Sequence, residues 1–159
     1  MKALSLWQPW ASAMALGLKR NETRGWSTSY RGPLAIHAAK RWTRAEQVFL
    51  ADAPSEFTCP EMREIYELPL GDIVGVCELY DCIGTDDALN EEDQLLSSRE
   101  EFWGNYGVGR FAWLTRNMVR LPVPIPYCGA QGLFEITGQT ETLLQFQLAN
   151  LKFGMEVQS

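Results

Sequence analysis

Apolar and polar positions change period several times along the chain. Met1 to Leu6 alternates weakly, as a short first strand does. Gln8-Pro9-Trp10 then opens a helix, with proline in the first turn, where its missing N–H costs nothing. Ala11 to Leu16 supplies helix formers, and Gly17 stands where a helix end wants a positive φ. The chain next turns back in an extended form. Alternate residues share a face there, Glu22 and Arg24 pointing one way, Asn21 and Thr23 the other. Trp26 to Tyr30 is a serine-rich turn, and Arg31-Gly32-Pro33 leads into a mostly buried strand over Leu34 to Ala39 that carries His37 near its end.

Thr43-Arg44-Ala45-Glu46 is a capping-box pattern and predicts a helix to about Asp52; Thr58-Cys59-Pro60-Glu61 repeats it for a helix to about Glu67. Ile73 to Cys82 is the clearest strand, and Gly75 within it marks a bulge or a barrel bend. Glu78 lies among apolar neighbours. At a barrel mouth its pKa would be raised; on an open sheet face it would be solvated. Asp86 to Glu101 reads as a polar, partly helical excursion, in which Glu100 and Glu101 stand directly before Phe102-Trp103. Gly104 to Gly109 lacks the lysine and helix of a phosphate loop and suits a backbone that approaches a ligand or a barrel corner. Arg110 to Thr115 is a strand, Val119 to Pro126 is extended by its prolines and suits a sheet edge, and Leu133 to Ile136 is the last strand. The tail from Gly138 is polar, with a helical stretch near Leu143 to Leu148. Short strands with two helices inserted after the third predict an α+β fold: a small, mixed, partly open β-barrel with flanking and inserted helices. A ligand of such a barrel sits at its mouth or in a cleft beside it.

Composition changes this picture in two places. The chain has 159 residues, enough for one domain with a sizeable core, and its net charge is −6. Divided along the chain, residues 1–44 carry +7, residues 45–104 carry −14 and the remainder +1. An anionic partner would therefore meet the first third. Cys59, Cys77, Cys82 and Cys128 form no Cys-x-x-Cys pair and His37 is the single histidine, so no metal and no other cofactor is expected. Without an apolar run of membrane-spanning length or a signal-peptide pattern, the expected compartment is the cytoplasm, and no membrane is among the expected partners.

The chemistry gathers around Gly17-Leu18-Lys19-Arg20-Asn21-Glu22-Thr23-Arg24. A cation, a carboxylate and a guanidinium within six residues make either a compact polar site or a salt-bridged surface hairpin. Trp7, Trp10 and Trp26 surround this run, as packing residues or as platforms for a ligand. His37 is either a hydrogen-bonded packing residue or a catalyst, and Lys40 and Arg41 follow it.

Leu4 to Ala11, with its Gln8-Pro9-Trp10, then the Gly-x-Lys-x-x-Glu-x-Arg run and Arg31 to His37, resemble an ASCH domain, a family with a PUA-like β-barrel. Gly71 to Gly75 and Gly109 to Trp113 resemble its middle and last barrel strands. The resemblance spans most of residues 4–136, and the domain is expected over 1–138 with 139–159 as a tail. It implies a cleft beside the barrel, lined by the lysine-glutamate-arginine element, and a role in binding RNA, another single-stranded nucleic acid or a free modified nucleoside. The binding residues expected on that reading are Gln8, Trp10, Lys19, Glu22, Arg24, Trp26, His37, Lys40 and Arg41. Some small members of the family are amidohydrolases that deacylate N4-acetylcytidine with a motif lysine, a threonine three residues on and a later glutamate. Lys19 matches the lysine, Glu22 takes the threonine's place, and Glu78, Glu100 and Glu101 are candidates for the later glutamate. The alternative function is therefore a metal-independent amidohydrolase, with Glu22 activating water and Lys19 stabilising the oxyanion.

Overall fold

A computed structural model describes residues 1–63, 67–88 and 97–156 of the chain. The elements are β1 (Lys2–Leu6), α1 (Trp10–Ala15), β2 (Glu22–Arg24), β3 (Gly32–Ala38), α2 (Arg44–Ala51), α3 (Pro60–Arg63), β4 (Asp72–Gly84), α4 (Thr85–Ala88), α5 (Ser98–Trp103), β5 (Phe111–Pro126), β6 (Leu133–Glu135) and α6 (Gln139–Glu156). Six strands form one sheet in the order β2-β5-β4-β3-β1-β6, curled into a mixed half-barrel. β1 and β3 are parallel, from Lys2 opposite Leu34 to Leu6 opposite Ala38, and the other neighbours are antiparallel. Parallel pairing needs a crossover, and α1 lies in the connection that supplies it.

Strand alternation sends the central sheet's side chains into two cores. Leu4, Leu6, Leu34 and Ile36 pack with Ala11 and Met14 of α1, whereas Ala3, Ala35 and Ile73 pack with Leu121, Ile125 and Leu144 of α6 on the other face. β3 is buried on both faces, which explains its unbroken apolar run. A third cluster joins Ala13, Leu50, Met62 and Trp103, so the inserted helices and α5 pack on the far side of α1.

Several boundaries differ from the sequence expectation, each for a physical reason. Pro9 precedes α1 as its N-cap instead of standing in the first turn. The expected strand over 110–115 and the extended segment over 119–126 form one strand, β5, of 16 residues. Its ladder with β4 steps from Ile73 opposite Ile125 to Gly75 opposite Arg120, so Pro122 and Pro124 fall in the irregularity. A side chain at Gly75 would place its Cβ 2.9 Å from the Val119 carbonyl oxygen, which is why a glycine sits there. Glu78 is the solvated carboxylate of the two alternatives. Arg116 clamps it with two bonds of 2.9 and 2.7 Å and holds its pKa below the usual range, so a raised pKa does not arise. At the second capping pattern α3 starts at Pro60 and the Thr58 hydroxyl donates to the Pro54 carbonyl; the expected continuation to Glu67 runs through residues 64–66, outside the described residues. The helix expected near 143–148 extends over the whole of α6 because Leu144 and Leu148 dock on the sheet. Gln147 also bonds the carbonyl of Val123 at the sheet edge, at 3.1 Å. Among the described residues, no helix is long and apolar enough to cross a membrane.

The first capping box forms as expected, with the Glu46 carboxylate reaching back to the Thr43 N–H at 2.8 Å and accepting a hydrogen bond from its hydroxyl as well. The Thr43 hydroxyl is the main cause that holds Glu46 below the ordinary carboxylate range. Thr43→Ala should therefore lower the unfolding free energy by about 0.5–2 kcal/mol in neutral urea titrations. A depressed folded-state pKa contributes stability that is full above the unfolded value, about 4.3, and is lost as pH falls through the folded value. The gap between wild type and Thr43→Ala should accordingly close in acid; a gap that is constant with pH would show that Glu46 is not its source.

Candidate functional site: a cleft between the sheet and the inserted helices

The site is built on the turn between α1 and β2. Gly17 ends the helix at φ +73, a conformation that glycine adopts without strain. The next residues are fixed from elsewhere in the chain. Glu100, on α5 and 2% exposed, accepts the backbone N–H of Arg20 at 2.6 Å and that of Asn21 at 3.1 Å. The Thr115 hydroxyl of β5 donates to the Arg20 carbonyl. Tyr106 packs against the same turn, and burial, then the Glu100 charge, pushes its pKa well up. The turn is thereby tied to two distant elements before any side chain of the motif comes into play.

Within that frame the motif divides. Lys19 is 1% exposed; its ammonium donates to the Asn21 carbonyl and lies 3.4 Å from the Glu22 carboxylate. On β2, Glu22 and Arg24 share a face, and the second carboxylate oxygen of Glu22 lies 3.1 Å from Arg24 Nε, close enough for an ion pair but misaligned for a hydrogen bond. Arg24 also donates to the Ser5 carbonyl at 2.7 Å, which locks β2 to the end of β1. Thr23, on the other face, accepts the Asn105 N–H at 2.9 Å, and Arg110 donates to the Thr23 and Asn105 carbonyls at 3.1 and 3.0 Å. The glycine-rich 104–109 loop is thus held against β2 by bonds between side chains and the main chain.

Glu22, Arg24 and the Thr23–Asn105–Arg110 group lie on the polar side of a cavity of about 480 Å³, a size suited to a small organic ligand. Trp7, Trp10, Phe49, Phe102 and Trp103 form its aromatic side. Trp10 stacks on Phe49 with centroids 5.2 Å apart, and Phe49 on Phe102 at 5.0 Å, so these three rings form one continuous array. An acceptor and a cation beside flat apolar faces can bind a planar ligand with a polar edge.

Of the residues expected to bind, Trp10, Glu22 and Arg24 line this cavity, and the others do not. Gln8 is fully buried and spends its amide on Ser12 and the Pro69 carbonyl. Lys19 is sealed beneath Glu22. Trp26 packs edge-on against Trp113, away from the cavity lining. His37 bonds the Ser5 hydroxyl and the Tyr127 carbonyl, and burial holds its imidazole below the ordinary pKa, so it serves as a neutral packing residue. Lys40 and Arg41 are exposed outside the lining, with Arg41 stacked over the Trp7 ring at 3.8 Å. Sequence reasoning missed Phe49, Phe102, Asn105 and Arg110 as lining residues and did not assign Trp7 to the site. The Phe102-Trp103 pair after two glutamates, and the glycine loop before Arg110, were the available signals.

The sequence matches the ASCH domain model over residues 4–114. It is 35% identical over 81 residues to activating signal cointegrator 1 of Homo sapiens and to the Mus musculus protein of that name. Those matches cover 50% of this chain but 14% of each relative, so the chain spans a small part of their length. The crystal structure of ASCH from Zymomonas mobilis is similar with a TM-score of 0.53 at 17% identity, over 90% of this chain and 92% of that one. A point mutant of the same Zymomonas mobilis protein is similar at TM-score 0.52 and 17% identity, over 92% of this chain and 94% of that one. At such identity the likeness is one of fold.

Glu100→Gln tests the anchoring of the turn. A carboxamide keeps one acceptor oxygen and turns an N–H₂ toward the second backbone donor. The expected outcome is a loss of about 1.5–3 kcal/mol in urea titrations, the scale of a hydrogen bond to a charged group. The amides of Arg20 and Asn21 should also exchange faster with solvent. Unchanged exchange at both amides would remove Glu100 from this role.

Proposed function

The chain belongs to the ASCH domain family, and from that premise we propose that its cleft binds one unstacked nucleobase, presented by single-stranded RNA or by a free modified nucleoside. The observation that carries this reading is the Glu22–Arg24 pair beside an aromatic wall. Glu22 accepts from an exocyclic amine while Arg24 donates to a ring carbonyl. Cytosine and guanine carry both groups; adenine lacks the carbonyl and uracil the amine. Aromatic side chains take the faces of a base whatever its edge. The +7 charge of residues 1–44 supplies attraction for phosphate.

Binding is favoured over amide hydrolysis by the burial of Lys19. Deacylation needs a donor at the developing oxyanion, and an ammonium that is 1% exposed and bonded to a backbone carbonyl is not presented to the cavity. The domain is proposed to extend through residue 138, followed by the 139–159 tail.

Calorimetry or melting shifts with the four nucleosides and N4-acetylcytidine test this reading. Cytidine or guanosine should bind more tightly than uridine and adenosine, and N4-acetylcytidine should yield no cytidine. Glu22→Gln should weaken the preferred nucleoside by about 1.5–3 kcal/mol, the scale of one charged hydrogen bond. Affinity for single-stranded oligonucleotides should fall linearly with salt on logarithmic axes, and Lys40→Ala should make that slope shallower. Efficient release of cytidine by the wild type, lost in Glu22→Gln, would establish the amidohydrolase instead.

A further inference from the structure

We propose that Trp7 and Arg41 form a second nucleotide subsite at the rim of the cleft, taking the base and phosphate that adjoin the base held by Glu22 and Arg24. The natural ligand is then a strand of at least two nucleotides, and the proposal rests on the single-base reading above. Trp7 lines the cavity and is still 47% exposed, far more than packing alone requires of so large an apolar ring. The Arg41 guanidinium lies 3.8 Å from the centre of the indole and covers one of its faces. Trp7 borders both the cavity and the solvent, so it stands at the rim.

The arrangement is fixed before any ligand arrives. The Trp7 carbonyl accepts the Ala11 N–H at 3.1 Å, which ties the residue to the start of α1. Arg41 donates its Nε to Glu46 at 3.1 Å, and Glu46 is held in turn by the Thr43 cap of α2. Arg41 remains 47% exposed, with room for a phosphate oxygen beside the stack, and Lys40 and Arg44 add exposed positive charge next to it. A half-exposed flat ring, backed and flanked by cations, matches a stacked base with its phosphate. A free nucleoside in the cleft would leave this surface unused.

The experiment compares the best-binding nucleoside with the two dinucleotides that join it to adenosine on its 5′ or its 3′ side. In the wild type, one of these should bind about 5- to 150-fold more tightly than the nucleoside, the contribution of one stacked base. Trp7→Leu keeps apolar bulk without an aromatic face and should reduce this ratio to about that of a dinucleotide with an abasic neighbour; Trp7→Phe should retain part of it. Using the ratio within each variant corrects for any effect of the substitution on the cleft itself. Nucleoside binding without a dinucleotide advantage, or an advantage that survives in Trp7→Leu, overturns the second subsite and leaves the single-base reading standing. Failure of every nucleoside and every dinucleotide to bind overturns that earlier reading, and this one with it.

Discussion

The carboxylate of Glu100 is the constraint on which the site depends. The N–H groups of Arg20 and Asn21 follow a helix end and precede a three-residue strand, so neither element satisfies them. An acceptor from α5, some 80 residues later in the chain, does so for both. Buried backbone donors are costly to leave unpaired, so this contact sets where the turn lies relative to α5. The direction in which β2 leaves the turn follows from it. Glu22 and Arg24 reach the cavity only because β2 then pairs with β5, with Glu22 opposite Trp113 and Arg24 opposite Phe111.

Burial divides the cations of the motif between two tasks. Lys19 is withdrawn from solvent and acts on Glu22 from below, with its remaining donor capacity turned to a backbone carbonyl. Arg24 stays about one quarter exposed and lines the cavity. A buried ammonium beside a carboxylate is sustained by such pairing, and removing either partner would leave an uncompensated charge. Lys19 is therefore a positioning residue for the carboxylate. The spacing Lys-x-x-Glu-x-Arg encodes a stack of charges running from the interior to the cavity, and the order of exposure follows the order of the residues along the turn.

How much of this was legible in the sequence depends on how local each contact is. The capping box at Thr43–Glu46, the glycine end of α1 and the opposite faces of Glu22 and Thr23 rest on periodicity within a few residues and appear as expected. The resemblance to the family also gave the half-barrel. Gln8, Trp26 and His37 carry the same residue types that a binding site uses, yet their partners lie elsewhere in the chain: Pro69, Trp113 and Tyr127. No local pattern separates a buried glutamine with three satisfied bonds from one that awaits a ligand. The full length of α6 was hidden for a similar reason. Its polar sequence gives little propensity signal, and docking of Leu144 and Leu148 decides the outcome.

The cleft combines a polar and an aromatic side because two parts of the chain meet in it. Its polar side comes from β2 and the loop that leads into β5, both part of the sheet or tied to its ladder. Its aromatic side comes largely from α2 and α5, which lie in the connections between strands and pack on α1. The sheet side is rigid through backbone bonds and fixes direction, as hydrogen bonds to a ligand edge require. The helical side offers stacked rings, which hold flat faces with little demand on the edge they carry. Since α6 covers the opposite face of the sheet, the second core closes without touching either side. On the reading proposed above, edge selectivity belongs to Glu22 and Arg24, and base-independent affinity belongs to the aromatic wall and the Trp7–Arg41 rim.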